Sequence, residues 1–76
     1  MVSMDEMKLR ILEDLDRVQG GKLTVLRLAQ RLGYDGWGSI KPMLDDGFGE
    51  ALSELRRDGV VDCRPNPHLG LEYWRA

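Results

Sequence analysis

From Met4 the apolar residues fall at positions 4, 7, 11, 12, 15 and 18, the three-and-four spacing of one helical face. Ser3 and Glu6 supply an S-x-x-E capping box, in which the hydroxyl accepts an orphan backbone N–H and the glutamate reaches back. Glu6 with Arg10 and Glu13 with Arg17 add i,i+4 pairs in the favoured orientation, and Gly20-Gly21 stops the run. A helix over 4–18 is predicted. Lys22-Leu23-Thr24 then reads as a short extended link, with Thr24 capping a second helix. Val25, Leu28, Ala29 and Leu32 form the inner face of that helix, Arg27, Gln30 and Arg31 its outer face, and Gly33 its left-handed C-terminal residue.

Periodicity fails over 34–46. Gly36 and Gly38 interrupt it and Pro42 disfavours a helix interior, yet Trp37, Ile40, Met43 and Leu44 are too apolar for a solvated linker. A structured loop is expected, with room for one short helical turn, in which Trp37, Ile40 and Leu44 touch the body. Asp46 is placed to cap a third helix running to Asp58, with Phe48, Ala51, Leu52 and Leu55 inward and Gly59 ending it. Strands follow at 60–64 and 71–75, joined by a turn rich in proline and glycine. Val61 and Cys63 alternate with Asp62 and Arg64; Leu71, Tyr73 and Arg75 alternate with Glu72 and Trp74. The expected core is Leu12, Leu15, Val25, Leu28, Leu32, Leu52, Leu55 and Val61.

With 76 residues, 42% apolar and 32% charged, the chain is one small α+β domain spanning 1–76, three helices followed by a β-hairpin. One cysteine, Cys63, excludes an intramolecular disulfide framework and suits a reducing, cytoplasmic setting. One histidine and one cysteine are too few for a zinc site built from those ligands. No apolar run approaches the ~20 residues of a membrane span, and Met1 opens no signal-peptide pattern, so no membrane partner is expected. Catalysis finds no foothold either. His68 on a turn and Cys63 on a short strand offer no nucleophile–base arrangement, and Gly33, Gly36 and Gly38 lack phosphate-cradling spacing. The chain is expected to be neither an enzyme nor a binder of metals or cofactors.

Net charge is −2, but it is unevenly spread. Residues 1–16 carry −3, from Asp5, Glu6, Glu13, Asp14 and Asp16 against Lys8 and Arg10. Residues 17–41 carry +4, from Arg17, Lys22, Arg27, Arg31 and Lys41 against Asp35. A basic middle on an acidic body is either a local patch for an anionic partner or an ordinary surface fluctuation.

Leu23-Thr24-Val25, Leu28-Ala29 and Leu32-Gly33, followed by Phe48, Ala51-Leu52 and Leu55-Arg56-Arg57-Asp58-Gly59-Val60-Val61, resemble the winged helix-turn-helix family. The likeness covers about 22–64 and takes in 65–76 as a second wing strand. It implies a small winged-helix domain with a C-terminal β-hairpin wing, and DNA binding in transcriptional or related control. Two features depart from the family pattern. Gly33 and Phe48 lie fifteen positions apart, where the family has a handful. Asp46, Glu50 and Glu54 fall at i, i+4 and i+8, a carboxylate stripe that disfavours insertion of the third helix into a major groove.

Candidate DNA contacts are Lys22, Arg27, Arg31 and Lys41 in the basic middle, Ser53 and Arg57 on the third helix, and Arg64, Asn66 and His68 in the wing. Arg27 and Arg31, one turn apart, can straddle a phosphate or simply face solvent. The alternative function is a protein-interaction module, or a homodimer, using Trp37 on its glycine-flanked loop with Glu50 and Glu54. The same carboxylates also complement the helix dipole. Trp74 either packs beneath the first helix, the preferred reading, or lies on the open sheet.

Overall fold

The computed structural model describes residues 3–34, 38, 40–66 and 70–76. Its elements are α1 (Met4–Arg17), β1 (Lys22–Thr24), α2 (Val25–Arg31), α3 (Ile40–Asp45), α4 (Phe48–Arg57), β2 (Val61–Asn66) and β3 (Gly70–Arg75). The strands form one antiparallel sheet in the order β1-β3-β2. The α+β class with a C-terminal hairpin stands, and the arrangement is compatible with a small winged-helix-like domain.

Local signals set the helix starts. The Ser3 hydroxyl accepts the Glu6 N–H at 3.1 Å, and the Thr24 hydroxyl accepts the Arg27 N–H at 3.2 Å. Each satisfies a donor that the first helical turn leaves without a partner. Three expectations change beyond the caps. The link at 22–24 is a strand: Leu23 registers with Tyr73 and Thr24 with Glu72, so β3 is paired on both sides. Three residues carry too little alternation to announce a strand; β3 supplies the partner that makes them one.

The second change is α3, a full helix inside the expected loop. Pro42 is its third residue, where no intrahelical N–H is needed, so the ring costs the helix nothing. Leu44, expected to touch the body, is 62% exposed; Met43 packs against the core instead. Trp37 lies outside the described residues, and nothing is placed for the side chain of Ile40.

The third change is Asp46. Its N–H bonds back to Pro42 O at 2.9 Å, closing α3, and its carboxylate accepts the Tyr34 hydroxyl. Gly47 is the N-cap of α4, with φ +79° and no side-chain cap. The chain must reverse sharply between α3 and α4, and only a left-handed glycine does so without strain. Asp46 therefore stands before α4, not at its cap.

The core is centred on Met7, Ile11 and Leu15 of α1 against Phe48, Ala51, Leu52 and Leu55 of α4, with Leu28 and Ala29 from α2. Leu23, Val61, Cys63 and Tyr73 close it from the inner face of the sheet. Of the eight expected core residues, Leu15, Leu28, Leu52, Leu55 and Val61 are buried, whereas Leu12, Val25 and Leu32 sit at the rim. Burial and the neighbouring Cys63 thiol both push the Tyr73 phenol above its ordinary pKa. Among the described residues, no helix is long and apolar enough to cross a membrane.

Candidate nucleic-acid interface

Helix α2 packs on α1, β1 and β3, which turns its outer face toward the sheet. Between them lies an open groove of about 450 Å³. Its cationic lining is Lys22 from β1 with Arg27 and Arg31 from α2; Thr24 and Gln30 add polar groups and Glu72 a carboxylate. Three of the sequence's candidate contacts thus share one concavity. Their arrival there has simple causes. Arg27 and Arg31 are one helical turn apart on the outer face, and Lys22 precedes by two residues the Thr24 cap that starts their helix.

The charges are not equally free. Arg31 Nε lies 3.4 Å from the Asp14 carboxylate, which ties α2 to α1. Glu72 is held by Arg64 Nε at 3.6 Å. With these two pairs balanced, Lys22 and Arg27 are the excess positive charge of the groove. Neither forms an ion pair among the described residues. The groove thus presents unpaired positive charge at two positions among the described residues, and a shared one at Arg31.

Beside the groove, on the outer face of the sheet, is Trp74. Period-two alternation puts Tyr73 inward against the core and Trp74 outward, partly buried. Contrary to expectation, Trp74 is not in the core cluster but lines a shallow concavity with Leu15 and Asp16 at the end of α1. Lys22, its registered neighbour on β1, stands over the indole with Nζ 5.6 Å from the ring centroid. Arg64 on β2 stands over it at 5.8 Å. Both are cation–π contacts, each worth about 0.5–1 kcal/mol at an exposed site. Asp62, the registered neighbour on β2, turns its carboxylate back to the Cys63 N–H at 2.8 Å.

The remaining candidates lie elsewhere. Lys41 is exposed on α3 and paired with Asp45 at 2.9 Å. Ser53 and Glu50 are exposed on α4. Asn66 ends β2 opposite Gly70, at the base of the hairpin turn. His68 lies outside the described residues, as Trp37 does.

Of the expected carboxylate stripe, one member is paired with cations and a second is hydrogen-bonded. Asp46 is bonded to Tyr34, and Glu54 sits between Lys8 at 3.3 Å and Arg57 at 3.6 Å. Glu54 alone of the three is paired with cations among the described residues; Asp46 accepts only the neutral Tyr34 hydroxyl, and Glu50 has no ion pair. Arg57 reaches Asp58 as well, at 3.8 Å. Lys8–Glu54 and Tyr34–Asp46 join residues 46 and 12 apart in the chain, so residue spacing alone did not reveal them.

Two groups that the sequence reading did not credit to this surface are Gln30 and Glu72. The outward alternation of Glu72 with Trp74 was the available signal. Among the described residues, no cluster of three His, Cys, Asp or Glu side chains gathers to hold a metal ion. The chain matches no protein-family model, no curated protein and no solved structure.

Proposed function

We propose that this domain binds duplex DNA, in transcriptional or related control, through phosphate contacts made by Lys22, Arg27 and Arg31. The observation that carries the reading is their convergence on one open groove, with Lys22 and Arg27 free of ion pairs among the described residues. The order of helices and hairpin, which resembles the winged helix-turn-helix pattern, supports it. So does the pairing of Glu54 with Lys8 and Arg57, which offsets part of the repulsion that the sequence led us to expect at α4.

Duplex titration across a salt series tests the proposal. Each neutralised phosphate contributes a slope of about −0.9 to log K against log salt. Arg27→Ala with Arg31→Ala should therefore flatten the slope by about two units. Glu50→Gln should strengthen binding, because that carboxylate has no internal partner to lose. Absence of duplex binding at low salt, in both the native chain and Glu50→Gln, would overturn the reading.

The exposed Leu44 on α3 favours a second reading, a protein-interaction module. Failure of DNA binding together with a partner complex weakened by Leu44→Ser would select it.

A further inference from the structure

The groove reading leaves the Trp74 face unused. The Trp74 indole lies outside the core cluster, on the outer face of the sheet, and much of its cover is side chain that can swing away. Lys22 and Arg64 provide a partial cover from the flanking strands. Around the ring, positive and negative charges balance: Lys22 and Arg64 against Asp62 and Glu72, with Glu72 held by Arg64 and Asp62 by its own strand. With Lys22 counted in that balance, the excess positive charge lies to one side at Arg27, which lines the groove together with Lys22. The ligand this pattern suits has a flat, neutral π face next to a negative charge.

We infer that Trp74 is a stacking site for an unpaired nucleobase, and that the domain holds single-stranded DNA with a base on the indole and its phosphate between Lys22 and Arg27. A paired duplex keeps its base faces stacked inside, so only an unpaired base reaches the ring. Stacking on aromatic side chains tolerates every base, because each has a π face, and it is the usual partner of a cationic backbone track. The base takes the place of the cations over the indole. Lys22 Nζ, so released, stays within one side chain's swing of the groove. The site shares Lys22 and Arg27 with the duplex reading but does not depend on duplex binding.

The test uses the full chain carrying Trp37→Phe, which leaves Trp74 as the sole tryptophan. Titration with a twelve-residue oligothymidylate should quench its fluorescence saturably. Anisotropy with the same labelled strand should show Trp74→Leu binding about tenfold more weakly, and Trp74→Phe retaining most of the affinity because a ring remains. Lack of quenching in the folded Trp37→Phe chain overturns the inference, whether or not Trp74→Leu folds. Equal affinity of a folded Trp74→Leu overturns it too. The two readings separate cleanly. Duplex binding lost in Arg27→Ala/Arg31→Ala, without oligothymidylate quenching, keeps the groove and removes the stacking site. Quenching without any duplex binding does the reverse.

Discussion

Replacing Tyr34 by phenylalanine removes one oxygen from a contact that ties the end of α2 to the turn between α3 and α4. Tyr34 follows α2, Asp46 follows α3, and the Tyr34 hydroxyl donates to the Asp46 carboxylate. The Tyr34 ring also packs against Phe48 of the core, with centroids 6.2 Å apart at 60°, and phenylalanine keeps that contact. The substitution therefore isolates the hydrogen bond. Bonds to a charged acceptor contribute about 1.5–3 kcal/mol, and the lower end applies because Asp46 is half-exposed and water can replace the hydroxyl. Unfolding entropy for a chain of this length is about 0.16 kcal/mol/K, so a loss of ~1.5 kcal/mol lowers Tm by about 9 °C.

The pH dependence adds a second signature. Burial, the hydrogen bond to Asp46 and the nearby Asp46 charge raise the Tyr34 pKa from 10.0 to about 12. A pKa raised on folding means that the stabilisation is complete below pH 10 and is lost as pH climbs through about 12. Thermal melts of the native chain and of Tyr34→Phe, compared from pH 8 upward, should show a constant gap to about pH 10 that closes toward 12. Tyr73 titrates in both proteins and cancels in the difference. A gap under ~0.3 kcal/mol at pH 8, or one that widens with pH, would refute the clamp.

Two further outcomes concern stability. Leu28→Ala empties a fully buried position and should cost ~2–5 kcal/mol, a large share of the ~4–11 kcal/mol available to a domain of this size; the urea midpoint reports it. Gly47→Ala and Gly49→Ala should have opposite signs in the same assay. The first forces a side chain into φ +79°, 3.4 Å from Met4 Cε, and should destabilise by ~1–2 kcal/mol. The second adds a methyl group to a helical position with nothing within 4 Å and should stabilise by ~0.5–1 kcal/mol.

What the sequence determined by itself was written in short spacings, although Asp46, read as a cap, shows that not every such signal is used. Ser3 and Thr24 announced their helices because a cap acts on N–H groups two or three residues away, and the Arg27–Arg31 pair was legible because a helix turn is a fixed interval. Alternation told which residues of the hairpin share a face, and hence that Tyr73 and Trp74 oppose each other; which of them faces the core was settled by what α1, α2 and α4 pack against. Tertiary structure alone decided the rest. Lys22-Leu23-Thr24 becomes a strand only because β3, some fifty residues later, offers its second edge. Two members of the acidic stripe gained partners once Lys8 arrived beside Glu54 and Tyr34 beside Asp46, contacts separated by 46 and 12 residues. The groove likewise needed α2 to lean on β1 and β3 before Lys22, Arg27 and Arg31 shared one surface. Local propensities act within a turn or two of the chain, whereas charge pairing and concavity depend on distances that only packing fixes.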